Sequence, residues 1–314
     1  MTRPNTLIAP ATLVLLALAA CEPTPPAGPT PDTATQPPGT ISTQPSAQPS
    51  ATAKPAKHDI APSVPIATAG PAEIAVNASN GFGMALYQEL KTKPGNFVFS
   101  PASISVALAM TYGGAKGDTA AQMAKTLQAG ADADAFHDAW ATQLNGWQNH
   151  KGAEIAVANR LFGDKKYTFE APYLAHSKSR YGAPLQAVDF AGAPEKQRVK
   201  INGWVAEQTH DRILDLIPKN GVTVDTRMAL VNAIYFKAQW NEAFPKRRTK
   251  DDTFTTADGT KVTTPMMMHT THARYGEVDG AQLMELRYKG GGFATLFVLP
   301  PQTEKIGDLE SKLD

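Results

Sequence analysis

Met228-Ala-Leu-Val-Asn-Ala-Ile-Tyr-Phe236 is the stretch that most narrows the folds open to this chain. A nearly continuous apolar run of this length reads as a strand buried on both faces, so the sheet it joins needs cover on each side. Asn232 stands in the middle of the run. A side-chain amide left unpaired there costs about 1–3 kcal/mol, so Asn232 has to find hydrogen-bond partners inside the core.

The text around this strand is strongly patterned from Ala72 onward. Ala75, Ala78, Phe82 and Leu86 fall at helical spacing, and Lys93-Pro94-Gly95 reads as a turn. Asn96 to Phe99 reads as a short strand. Ser100-Pro101 then gives a cap followed by proline at the first helical position. The helix Ala102 to Tyr112 is apolar nearly all round, which places it in the interior, and Gly113-Gly114 ends it. Thr119 with Gln122 fits a capping box for a helix running to Leu127. Further helices are expected over Phe136 to Trp147, Phe169 to Tyr181 and Glu195 to Leu216. Strands are expected over Ile155 to Phe162 and Pro184 to Phe190. Beyond Phe236 a string of strands follows, with Asp258-Gly259 and Gly290-Gly291-Gly292 as turns. Helices first and strands later predict a mixed α+β domain with more than one sheet.

The first 71 residues are of another kind. Arg3 and the apolar run Leu7 to Ala20 form an export signal, too short to span a bilayer core of roughly 20 residues. The run ends in Leu18-Ala19-Ala20-Cys21, which resembles the lipobox of bacterial lipoproteins. Residues 1–21 are therefore expected to be a lipoprotein signal, with Cys21 lipidated and the mature chain held at a membrane surface of the cell envelope. Glu22 to Pro71 holds 13 of the 25 prolines with few large apolar residues, so it is expected to be a disordered tether. Cys21 is the one cysteine, which excludes an intramolecular disulfide and a thiolate metal site. A formal net charge of +1 gives no reason to expect a nucleic-acid partner.

The ordered blocks carry a family resemblance. Asn96-Phe-Val-Phe-Ser-Pro-Ala-Ser-Ile-Ser-Val-Ala-Leu-Ala-Met110 followed by Gly113-Gly-Ala-Lys-Gly-Asp-Thr119 resembles the serpin signature. Ile201-Asn-Gly-Trp-Val205, Leu230 to Trp240, Pro265-Met-Met-Met268 and Phe293 to Pro300 resemble later serpin blocks in the family's order. The resemblance implies a serpin-like fold over 72–314, with helices packed on a large central sheet. It implies a monomeric inhibitor of serine or, less often, cysteine proteases. In that mechanism a cleaved reactive loop inserts into the sheet as an extra strand, with no cofactor, no metal and no catalytic residue in the inhibitor. By the same resemblance Ser100, Ser103 and Asn232 belong to the shutter beneath the opening strands, and Trp240 lies near the point where the loop enters. The alternative is a non-inhibitory serpin acting as a surface binding or scaffold module.

The chain departs from the family after Leu299-Pro300-Pro301, where Ile306, Leu309 and Leu313 predict a last helix. The expectation is a domain incomplete at its C-terminus, without reactive loop or final strands, in which Phe293 to Leu299 exposes apolar surface. Other chemistry finds little support. His269-Thr-Thr-His272 has a ligand-like spacing but strand-like surroundings, and Lys246-Arg247-Arg248 reads as a solvated loop. Ala115 to Thr119 joins two helices rather than a strand to a helix, unlike a phosphate loop, and no hydrolase motif is found.

Overall fold

The computed structural model describes residues 71–92, 95–256, 258–301 and 306–313, together with the backbone of residues 12–17. Cys21, the tether and the Lys93-Pro94 turn lie outside the described residues. Among the described residues no helix is long and apolar enough to cross a membrane.

The central sheet is built on β4 (Thr226–Lys237), which pairs antiparallel with β2 (Glu154–Asp164); β2 in turn pairs parallel with β3 (Leu185–Val188). On the other edge of β4 lies β1 (Thr12–Ala17), parallel, from Thr12↔Thr226 to Ala17↔Asn232. Residues 12–17, which lie within the run expected to be an export signal, pair as a fourth strand of the sheet. The physical opening for it is plain: that edge of β4 carries an unmatched row of backbone donors and acceptors.

Because successive side chains alternate between faces, β4 serves two cores. Leu230 joins Leu161, Met110, Phe136, Trp140 and Tyr181 in one cluster. It lies beneath α1 (Glu73–Leu90), α2 (Pro101–Tyr112), α4 (Ala133–Gln148) and α5 (Ala171–Tyr181). Ala229 and Val231 join Phe162, Phe190, Ile201, Val205 and Ile217 on the opposite face, under α6 (Pro194–Gln208) and the segment that follows it. Cover on both faces is what the apolar run demanded.

Four expectations need correction. The helix expected to reach Leu216 ends at Gln208, because His210 and Asp211 adopt left-handed φ of 50° and 58°. The segment beyond is pinned by Asn202, which donates to Ile217 O at 2.9 Å and accepts from Ile217 N at 2.9 Å. The Thr119 capping box does not form, since α3 (Gly117–Thr126) starts three residues earlier than that cap requires, with Lys116 at its cap. The fourth helix starts earlier too, capped by Asp132, whose Oδ1 accepts from Ala135 N at 3.0 Å. Asn96 to Phe99 pairs with no strand among the described residues. Rings anchor it instead, Tyr87 lying 5.5 Å from Phe97 and 6.5 Å from Phe99.

The remaining strands form a hairpin, β5 (Lys250–Thr255) with β6 (Lys261–Met266), and a meander of β7 (Arg274–Val278), β8 (Ala281–Arg287) and β9 (Ala294–Leu299). Asp279-Gly280, with φ of 50° and 80°, makes the tight β7–β8 turn that two left-handed positions require. On β9, Leu296 and Leu299 are 58% and 60% exposed, the bare apolar strand that was expected. A short helix, α7 (Ile306–Glu310), docks on α1 through Tyr87 Oη, which donates to Glu310 at 2.5 Å. Burial and the Glu310 carboxylate push the Tyr87 hydroxyl up to about 12.

Candidate functional site

A polar seam crosses the apolar core where β4, β2 and α2 meet. Ser100 caps α2 in extended conformation, and its Oγ accepts from Ser103 N at 3.2 Å. One turn into the helix, the Ser103 hydroxyl donates to Asn232 Oδ1. Asn232 Nδ2 donates to Asn159 Oδ1 at 2.6 Å, and Asn159 Nδ2 donates to Tyr181 O at 2.8 Å. Register explains the amide pair, because Asn159 and Asn232 stand directly opposite each other on β2 and β4. Asn232 is fully buried, and Ser103 and Asn159 nearly so. Partnered polar groups of this kind cost little while their bonds persist, yet the bonds can be broken and remade as strands shift.

The structure therefore brings together three of the residues singled out in the sequence: Ser100, Ser103 and Asn232. Asn159 was missed. Its signal was present in Ala156-Val-Ala-Asn-Arg-Leu-Phe162, an amide inside an apolar strand like that at Asn232, but only the pairing register makes the two amides partners. Trp240 does not join the seam. It lies past the end of β4, bridged to Tyr288 and stacked on that ring at 4.4 Å with the planes 14° apart. Asn241 N donates to Arg287 O at 2.9 Å and Lys289 N to Gln239 O at 2.8 Å, so Trp240 ties the end of the central strand to β8.

The two histidines of the ligand-like spacing sit in a small cleft with Trp240, Glu242 and Phe244. His269 Nε2 is 4.0 Å from Glu242, and Thr271 occupies that carboxylate at 2.7 Å. Among the described residues no group of three or more His, Cys, Asp or Glu could hold a metal. Lys246, Arg247 and Arg248 form an exposed 3-10 turn.

A second polar group underlies a broad groove of about 1100 Å³ between the ends of α2, α3, α4 and α5. His137 and His176 meet edge to face at 4.4 Å, and His137 Nδ1 lies 2.5 Å from Tyr181 Oη. Burial, then the charges of His176 and Arg180, depresses His137 to about 3. Burial and Arg180 also lower His176, against the opposing pull of Asp134 and Asp138. Arg180 bridges to Asp138 at 2.6 Å and Asp134 at 3.1 Å. Both imidazoles are thereby held neutral between α4 and α5.

Residues 77–314 match the family model described as Serpin (serine protease inhibitor). Serpin B3 of Homo sapiens is 34% identical over 255 residues, covering 75% of this chain and 65% of the human protein. Antithrombin-III of Ovis aries is 37% identical over 247 residues, covering 75% of this chain and 53% of the sheep protein. Leukocyte elastase inhibitor A of Mus musculus is 38% identical over 234 residues, covering 73% and 61%. Emu ovalbumin superposes with a TM-score of 0.72 at 26% identity, covering 77% of this chain and 66% of that one. Cleaved Serpin 42Da gives 0.70 at 31% identity, covering 77% and 65%. The chain thus spans between about half and two thirds of the length of the curated relatives it matches.

Proposed function

The chain belongs to the serpin family, and on that premise we propose that its complete form inhibits serine-type endopeptidases by taking a cleaved loop of its own into the central sheet. The fold is the α+β, multi-sheet fold of that family. One observation carries the proposal: the edge of β4 accepts a further strand, as the backbone pairing of residues 12–17 along it illustrates, with one register shift between Thr12 and Leu13. Removal of residues 1–20 with the signal would leave that edge free for the loop. Beneath that strand the Ser103–Asn232–Asn159 seam supplies bonds that part and re-form as β4 moves, and we assign it the shutter role with Ser100. Trp240 is assigned to the end of the strand where the loop would enter.

The chemistry belongs to the target. The protease hydroxyl attacks a loop carbonyl, the amine side of the peptide departs, and the ester remaining on the protease is trapped before water can cleave it. The inhibitor then needs no nucleophile, base or metal, only a sheet that gains free energy by adding a strand. The product of the complete reading frame, incubated with chymotrypsin and with trypsin, is expected to give a covalent complex that survives boiling in detergent. Cleavage without any such complex would overturn inhibition and favour a non-inhibitory binding module.

Export and lipid attachment belong to the same proposal, with Cys21 as the acylated residue and residues 22–71 as the tether to an envelope membrane. Expressed in a bacterium that processes lipoproteins, the wild-type protein is expected to partition into detergent on phase separation. Cys21→Ser is expected to remain in the aqueous phase; equal partitioning of the two would sink the lipid assignment.

A further inference from the structure

The sheet face under α6 is apolar at Phe162 and Val231, yet Arg160 projects from β2 into the same layer. Its guanidinium carbon lies 4.6 Å from the centre of the Trp204 ring on α6. Its Nη1 donates to Gln186 Oε1 on β3 at 3.1 Å, while Nε is buried without a partner. Phe162 meets the same tryptophan edge-on at 5.6 Å. One side chain therefore holds β2, β3 and α6 together. The other polar ties of α6 run to the segment behind it: Arg198 and Asn202 both donate to Ile217 O. That segment reaches β2 through His210 and Glu154 at 2.8 Å.

A cation is a poor choice if the only purpose is to fasten α6. An unbranched apolar side chain would pack on Trp204 and Phe162 with no charge to desolvate and no orphaned N–H. Burial does disfavour the charged guanidinium here, offset in part by Glu207 on α6. The benefit of arginine comes on opening. When α6 lifts, the guanidinium regains water, whereas an apolar replacement would be left bare beside an uncovered indole.

We propose that Arg160 is a positioning residue that makes α6 releasable: through Trp204 it seats the helix, and by rehydrating it keeps the helix easy to lift from β2. The purpose of such a release rests on the strand-insertion proposal, because widening the sheet beside β4 displaces the layer that lies across it. The effect itself concerns α6 alone.

Hydrogen–deuterium exchange of the full chain tests it, with residues 194–208 as the reporter and α4, residues 133–148, as the internal reference. Arg160→Met is expected to slow α6 exchange by about fivefold or more with α4 unchanged, and Arg160→Lys to stay within about twofold of wild type. Arg160→Ala, which removes both packing and charge, is expected to speed it. A purely structural tie would be loosened by methionine as well. Exchange in α6 that rises or does not move in Arg160→Met overturns the proposal. Failure of the inhibitory reading would show separately, as a wild-type protein forming no protease complex whatever α6 does.

Discussion

Asn232→Ala is expected to lower the unfolding free energy by about 3–5 kcal/mol, read as a fall in the urea midpoint at unchanged slope. The estimate comes from what the substitution strands. The Ser103 hydroxyl and Asn159 Oδ1 each lose their partner in a core that water does not reach. Two buried orphans at about 1–3 kcal/mol each outweigh the net value of the bonds themselves. A double-mutant cycle separates this from simple loss of packing. Ser103→Ala made on top of Asn232→Ala should cost little or recover part of the loss, because the orphaned hydroxyl is then gone, giving a coupling of about 1–3 kcal/mol. Additive effects of the two substitutions, or an unshifted midpoint for Asn232→Ala alone, would remove the seam from any part in holding β4 to α2.

Acidification from pH 7 to pH 4.5 is expected to cost about 2–3 kcal/mol of stability, most of it through His137. In the folded protein this imidazole titrates near 3, depressed by burial and then by the charges of His176 and Arg180. In the unfolded chain it titrates near its ordinary value of about 6.5. Between those values the unfolded state holds the extra proton, so stability is full above about 6.5 and falls by about 1.4 kcal/mol for each pH unit below it. His176, lowered by burial and Arg180, acts in the same direction. Urea titrations at pH 7.5, 6 and 4.5 measure the slope; carboxylates begin to protonate at the lowest of these, and the difference between wild type and His137→Phe removes their contribution. His137→Phe should lower stability at pH 7.5, by leaving the Tyr181 hydroxyl without its partner, and should flatten the profile. A wild-type profile already flat over this range would show that the pair is solvated rather than buried.

Much of the frame was legible in the chain. Ser100-Pro101 marked the start of α2 because a hydroxyl cap and a proline satisfy the same local need wherever they occur. Tertiary contacts overrode other local signals. Thr119 and Gln122 satisfy a capping pattern, yet α3 begins at Gly117. The Glu195 to Leu216 periodicity looked like one helix because Ile213, Leu216 and Ile217 are core residues, though they reach the core from an irregular segment held by Asn202. Asp279-Gly280 was overlooked as a turn although the pair has a strong preference for left-handed backbone.

The amino-acid order alone determined that β4 is a doubly covered strand and that Asn232 needs partners, since apolar burial and hydrogen-bond satisfaction are properties of the run itself. It also determined the family, through blocks that keep their order. Only the folded arrangement decided which groups those partners are. Ser103 and Asn159, and the Tyr181 carbonyl that accepts in turn from Asn159, come from three elements far apart in the chain, joined by strand register and helix packing. The same holds for Arg160 under Trp204 and for His137 against His176. A hydrogen bond, a ring contact or a desolvated imidazole depends on distances of a few ångströms, and spacing along the sequence says nothing about those until the chain has closed on itself.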